Sequence, residues 1–295
     1  MSNVHKIVLG TVQFGLNYGV NNTTGKQSEE AIFKILKEAY QLGIDTLDTA
    51  EAYGNAHDII SRFHKQSKIR FRIITKFSSS VLDKYPLDLI ERIEYHCKSF
   101  QITHLESYMF HSYAEFKEAL NKDSLVLQKL TNSKYVKKIG VSLHTNGDIE
   151  NVLNYKGIEL IQLPFNLFDN ELSRSQILKK TKLHGVEIHT RSAFLQGLFF
   201  KDVNSLKGNL VHLVEELNFL KKLLKENDNS LTSFALNYPI SKDYIDKVVI
   251  GIDNIEQLHD NINSVRNHKK DKSYNQIDTL RIKNTELLNP SNWKL

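Results

Sequence analysis

Cysteine, proline, methionine and tryptophan are scarce: one, four, two and one in 295 residues. Cys97 has no partner in the chain, so an intrachain disulfide and a cysteine-based zinc set are both excluded. It falls in a segment of helical period, Leu87 to Gln101, where it reads as a small buried apolar group. A reducing compartment fits that usage. No window approaches 18 uninterrupted apolar residues, which excludes a spanning helix. The first residues, Met1 to Lys6, run into a strand-like segment without a signal-peptide apolar region. These absences set the expectation of a cytoplasmic protein with no membrane association. No linker rich in Pro, Gly or Ser divides the chain, so residues 1–295 read as a single domain, although this length would also allow two.

Two motif absences narrow the chemistry. The twelve histidines include no His-Glu-x-x-His, so no metal site is expected. No Gly-x-Gly-x-x-Gly follows a strand, which disfavours a Rossmann dehydrogenase. Gly19 to Lys26 imitates a phosphate loop, but it has one residue too many between its glycines. Gln27 also stands where Ser or Thr is required. It reads as a polar loop.

Net charge is +5 and the pI about 9.0. Part of the excess lies in Arg266-Asn267-His268-Lys269-Lys270. A solvated face is the simpler reading than an anion-steering patch, and no nucleic-acid motif is present.

What the chain does have is alternation. Short apolar runs read as strands at Lys6–Leu9, Thr46–Thr49, Arg72–Lys76, Ser107–His111, Lys138–Ser142, Leu160–Leu163, Glu187–Arg191 and Val248–Ile252. Amphipathic stretches such as Glu29–Leu42, Leu87–Phe100, Phe116–Thr131, Arg174–His184 and Ile255–Val265 lie between them. Gly43 and Gly185 stand where left-handed helix caps belong. Strands alternating with helices imply parallel pairing, and eight such units in this length predict an α/β fold, a closed (β/α)8 barrel of TIM type. Ser192 to Lys247 leaves room for an extra helix, Leu210–Lys225, besides the crossover helix Leu231–Tyr238. The tail after Lys272 has helical period at Ile277, Leu280, Ile282 and Leu287.

Barrel active sites form at the C-terminal ends of the strands. Asp48, Lys76 and His111 fall at three consecutive strand ends, and Tyr53 lies in the loop after the first of them. Neighbouring strands lie about 4.8 Å apart, so the four side chains can meet. A phenol with an ordinary pKa near 10 becomes useful when an ammonium favours its phenolate and a carboxylate holds that ammonium. An imidazole can then orient a carbonyl oxygen. Each residue alone has a bland reading: a turn cap, a surface aromatic, a strand end, a core histidine. Four in register at one rim favour proton transfer at a carbonyl. Phe14, Tyr18, Tyr113, Phe165 and Phe168 lie near the same rim, as pocket lining or as hydrophobic anchors.

Over Leu9-Gly10-Thr11 to about Asn261, the chain resembles the aldo-keto reductase family. The strongest piece is Asp48-Thr49-Ala50-x-x-Tyr53-Gly54. The resemblance implies Tyr53 as general acid, Lys76 as the group that lowers its pKa, Asp48 as support and His111 as the orienter of the substrate oxygen. It further implies a nicotinamide cofactor, which carries the hydride chemistry, and a small-molecule carbonyl substrate. Gly10 and Thr11 open the first rim segment, and Ser142 and Gln162 match the residues that bond the nicotinamide carboxamide. Ser192 to Leu198, with Gln196 and Gly197, resembles the pyrophosphate loop. Gly251 to Asn261, with Asp253 and Gln257, resembles the segment holding the adenosine end.

There are departures. Arg191 stands where many members stack an aromatic ring on the nicotinamide, and its charge suggests a sugar-like or anionic aldehyde or ketone as substrate. The ribose-phosphate segment lacks the Lys and Arg that one large branch carries, and Asp253 would repel a 2′-phosphate. Related branches bind NADPH without that pair, so NADP is placed ahead of NAD. His57 occupies a position where glutamate is common. Two other readings stay open: a Schiff-base lyase or aldolase using Lys76, and a non-catalytic cofactor-binding member. The sequence does not speak to oligomeric state.

Overall fold

The computed structural model describes residues 3–19, 25–267 and 271–294. The phosphate-loop imitation and the basic run Arg266 to Lys270 both extend outside the described residues.

Eight strands pair in parallel and in chain order, and the eighth closes on the first. They are β1 (Ile7–Gly10), β2 (Thr46–Asp48), β3 (Arg72–Phe77), β4 (Leu105–Phe110), β5 (Val136–Ser142), β6 (Leu160–Pro164), β7 (Glu187–Arg191) and β8 (Lys247–Ile250). The expected (β/α)8 barrel is the observed fold. The period of two along a strand decides which residues face the lumen. Ile74, Met109 and Leu160 pack there as a small separate cluster, fully buried. Two residues further along the same strands stand Lys76, His111 and Gln162. The inward parity that buries an apolar plug therefore also aims the rim residues at one point.

The outer layer is built from helices, most of them amphipathic, numbered along the chain with α1 at Val12–Gly15, α8 at Glu171–Leu183, α9 at Val214–Glu226, α10 at Leu231–Ile240 and α12 at Tyr274–Asp278. In α2 (Glu29–Gln41), Ser28 Oγ accepts from Ala31 N at the start, and Ile32, Ile35, Leu36 and Ala39 are buried against the barrel. That is the i, i+3, i+4, i+7 face. Gly43, at φ 102°, reverses the chain after it. Full burial contributes about 1.5–3 kcal/mol for a side chain such as Leu36, and truncating it to alanine would cost about 2–5 kcal/mol.

Several elements differ from expectation. The stretch Phe116–Thr131 is two helices, α5 (Tyr113–Lys122) and α6 (Val126–Thr131), not one. Asp123 breaks it: its backbone turns extended, and its carboxylate accepts from Leu125 N and Lys129 Nζ. An aspartate that offers its own acceptor competes with helix continuation. A helix α3 (Ala56–Gln66) and a short one, α7 (Asn146–Val152), fill intervals in which none was specified. The extra helix before β8 comprises a 3-10 segment, Gly208–Leu213, running into Val214–Glu226. The tail condenses into one short helix, Tyr274–Asp278, and 3-10 turns. No helix among the described residues is long and apolar enough to cross a membrane.

Candidate active site

A cavity of about 800 Å³ opens at the C-terminal ends of the strands, a size typical of small-molecule and cofactor sites. Asp48, Tyr53, Lys76 and His111 all line it. Lys76 Nζ donates to Asp48 Oδ1 at 2.5 Å and to Thr49 O at 3.2 Å. Asp48 Oδ2 accepts from Gln162 Nε2 at 2.8 Å across the barrel. The Tyr53 ring stands edge-on to His111, centroids 5.8 Å apart, with Lys76 Nζ 5.5 Å from the Tyr53 ring centroid.

Burial, then the Asp48 charge, raise the Tyr53 pKa above the ordinary tyrosine value; Arg191 opposes them. The sequence pattern suggested an ammonium favouring the phenolate. In the resting site burial dominates and the phenol stays protonated, while Lys76 donates to Asp48 with its Nζ 5.5 Å from the Tyr53 ring centroid. Burial lowers the Lys76 pKa, with Asp48 offsetting part of that. His111 is pushed down to about 4 by burial and by the Lys76 charge, so its ring is neutral at neutral pH.

The Tyr53 loop is held from below and from the side. Glu51 is buried, and both its oxygens are occupied: Oε2 by Ser78 N at 2.9 Å and Arg92 Nη1 at 3.2 Å, Oε1 by His96 Nε2 at 2.8 Å and Tyr108 Oη at 2.9 Å. Donors from β4, from the segment after β3 and from α4 (Leu89–Phe100) therefore meet on one loop carboxylate. At the side, a Cβ on Gly15 would lie 1.8 Å from the Tyr53 carbonyl oxygen, and one on Gly54 2.5 Å from Gly15 O. Gly54 also has φ +56°, so two backbones touch here where side chains could not stand. His57 is buried beneath, its Nε2 at 2.9 Å from Thr75 Oγ1, which makes it part of the core.

The family model described as "Aldo/keto reductase family" matches residues 6–282. The chain belongs to the aldo/keto reductase family. Among curated relatives, it is 23% identical over 257 residues to an uncharacterized oxidoreductase, YqkF, of Bacillus subtilis, covering 81% of this chain and 83% of that one. It is 21% identical over 300 residues to the L-glyceraldehyde 3-phosphate reductase of Escherichia coli K12, covering 88% and 85%. The structure resembles aldo-keto reductase AKR11C1 from Bacillus halodurans in its holo form, with TM-score 0.75, 19% identity and coverage of 96% and 91%. It also resembles the glycerol dehydrogenase AKR11B4 of Gluconobacter oxydans, with TM-score 0.70, 18% identity and coverage of 92% and 90%.

For an aldo/keto reductase, the remaining cavity lining bears on a nicotinamide cofactor, which members of the family use. Gly10, Thr11, Ser142, Gln162, Arg191, Ser192, Gln196 and Gly197 line the cavity, as do Gly251, Asp253, Gln257 and Asn261. Leu198 does not: it is fully buried and packs in the core. Three features fit a dinucleotide. Ser192, Leu195, Gln196 and Gly197 all have positive φ, so the loop turns sharply along the cavity wall. The N-terminus of α11 (Ile255–Arg266) reaches the cavity through Gln257; Asn254 Oδ1 caps the Gln257 N–H at 2.8 Å, and a helix N-terminus favours anions. Gln13 Oε1 and Asp253 Oδ1 are buried without a hydrogen-bond partner among the described residues, and both residues face the cavity.

The rim aromatics divide. Tyr18 lines the cavity and accepts from Gln196 Nε2 at 2.7 Å, while Phe14, Phe165 and Phe168 are buried in the core and Tyr113 packs on it. Sequence reasoning missed Gln13, His144, Phe194, Phe200 and the tail residues Asn289 to Ser291, which also line the cavity. The tail could not be found from motif spacing, since it folds back from the far end of the chain.

Proposed function

We propose that this protein reduces an aldehyde or ketone to an alcohol with a reduced nicotinamide cofactor, Tyr53 donating the proton. One observation carries the reading: a buried, protonated phenol, a neutral imidazole and a Lys76–Asp48 ion pair converge on one cavity at the barrel mouth. When bound, the cofactor supplies the hydride. The chain's own residues manage everything else. His111, neutral, donates a hydrogen bond to the carbonyl oxygen and sets its position beside the phenol. Tyr53 gives its proton to that oxygen as negative charge develops there. The Lys76 ammonium stabilises the phenolate that remains, and Asp48, fixed by Gln162, keeps Lys76 charged and in place. Positioned acid catalysis of this kind contributes about 10²–10⁴-fold.

The cofactor is proposed to be NADP(H), bound along the Ser192–Gly197 loop with its adenosine end at Gly251 to Asn261. NAD(H) is the second reading. Asp253 favours it, because a carboxylate with an unpartnered oxygen accepts from ribose hydroxyls and repels a 2′-phosphate. The Schiff-base alternative needs an uncharged, reachable Lys76. Its Nζ is instead buried and taken by Asp48 and Thr49 O. A purely cofactor-binding role leaves Tyr53 and His111 without a task.

Separate fluorescence titrations with NADPH and NADH, followed by cofactor oxidation over a panel of aldehydes and ketones, test the proposal. Binding of one cofactor with aldehyde-dependent oxidation is the expected result. Binding of neither would overturn it.

A further inference from the structure

Arg191 ends β7 and lines the cavity. Its Nη2 lies 2.9 Å from His144 Nε2. Since a guanidinium only donates, that imidazole nitrogen is the acceptor. His144, just beyond β5, also lines the cavity, and burial and the Arg191 charge push its pKa down to about 4, so it adds no charge of its own near neutral pH.

The local charges do not balance. The groups whose charges bear most on Arg191 are Tyr53, Tyr18, Asp48 and Asp169. Both carboxylates are already committed. Asp48 is paired with Lys76 at 2.5 Å. Asp169 takes Arg174 in a two-pronged contact, Nε to Oδ1 at 2.6 Å and Nη2 to Oδ2 at 2.8 Å. Both phenols are neutral. Three cations thus face two carboxylates, and Arg191 makes no ion pair among the described residues. Its other N–H groups belong to a fork suited to two oxygens at once. Charged side chains that end half-buried without a counter-ion are uncommon, because the desolvation is not fully offset.

We propose that Arg191, oriented by His144, is a specificity-determining residue that binds an oxyanion on the substrate, a carboxylate or phosphate ester carried close to the reacting carbonyl. The proposal rests on the carbonyl-reductase reading and narrows its substrate class. Arg191 acts near Tyr53 and Tyr18, the groups whose charges bear most on it. An oxyanion there completes the charge balance. It also fixes the carbonyl at a set distance from Tyr53, and a substrate without it is held only by shape.

The test compares matched pairs: succinic semialdehyde with butanal for the carboxylate, glyceraldehyde 3-phosphate with glyceraldehyde for the phosphate. Wild type should prefer one anionic member by about 10- to 100-fold in kcat/KM, the range of a charge-assisted hydrogen-bond pair, and the pair that discriminates identifies the oxyanion. That preference should weaken with added salt. In Arg191→Gln the anionic-to-neutral ratio should collapse toward one, and Arg191→Lys should recover part of it. Thermal melts establish that both variants fold. Calorimetry of 4-hydroxybutyrate and glycerol 3-phosphate, against butanol and glycerol, gives a readout independent of turnover. Equal use of both members of each pair would overturn the proposal while leaving the reductase reading intact. So would an Arg191→Gln defect confined to cofactor affinity. Turnover of none of the four aldehydes, with Arg191-dependent binding of an anionic alcohol, would instead overturn the reductase reading and uphold the oxyanion site.

Discussion

Gln162 donates its side-chain amide to Asp48 Oδ2 at 2.8 Å, joining β6 to β2 across the lumen. With Lys76 on Oδ1, both oxygens of one buried carboxylate are occupied. A residue matched to a nicotinamide contact is thus also a brace for the ion pair. The consequence is measurable. Asp48→Asn leaves the Lys76 ammonium buried without its counter-ion, and breaking such a pair from one side costs about 3–5 kcal/mol. Denaturant unfolding should register that loss, and kcat should fall with it. Unchanged stability would mean that Lys76 is neutral in the fold.

Glu51 makes a second buried anchor, under the Tyr53 loop. Glu51→Ala strands the Arg92 charge, leaving it Pro86 O at 2.7 Å and the faces of Phe77 and Tyr85 but no carboxylate. A destabilisation of about 3–5 kcal/mol is expected. Glu51→Gln keeps the shape and loses the charge. It should lower kcat more than it raises the cofactor Kd, because the residue acts on where Tyr53 stands. Equal effects on both would assign Glu51 to general stability only.

The His111 ring predicts the pH profile. Its folded pKa of about 4 lies below the ordinary value of about 6.5, so the fold favours the neutral form. Above pH 6.5 neither state is protonated and the shift has no effect on stability. Between 6.5 and 4 the unfolded chain binds the proton first, so stability falls as pH drops through that window. The kcat/KM profile should therefore show no inflection near 6.5, and the acid limb should appear near 4. The raised Tyr53 pKa likewise predicts no alkaline loss from the phenol below about pH 10 in the free enzyme. A midpoint at 6.5, lost in His111→Asn, would contradict this.

The proposed cofactor placement predicts that Asp253 bears on the choice between NADPH and NADH. Its Oδ2 is 3.4 Å from Gln257 Nε2, and its backbone N–H donates to Gln257 Oε1 at 2.9 Å. Asp253→Ser should raise affinity for NADPH relative to NADH by about tenfold, the worth of about 1.4 kcal/mol of relieved repulsion. Paired fluorescence titrations of the variant read this directly, and an unchanged ratio would place the 2′-phosphate elsewhere.

Much of the barrel was legible because strand runs and helix caps are local signals. Ile73-Ile74 and Val248-Val249-Ile250 announce themselves, and Gly43 and Gly185 punctuate as expected. Helix α3 was harder: Asn55 makes no capping bond and the segment mixes His57, Asp58, Ser61 and Arg62 into its first two turns. The split at Asp123 turned on one carboxylate accepting from the Leu125 N–H two residues on. In the site, Asp48, Tyr53, Lys76 and His111 were readable from strand-end spacing. Glu51 was not, because its meaning lies in Arg92, His96 and Tyr108, which only the fold brings to it. Nor was His144, which becomes notable only beside Arg191.

The most direct test of the central claim is Tyr53→Phe, compared with wild type in single-turnover reduction of an aldehyde by pre-bound cofactor. The variant should keep its melting temperature and cofactor affinity, and lose about 10²–10⁴-fold in rate. A Tyr53→Phe protein that reduces the carbonyl at the wild-type rate would contradict the account.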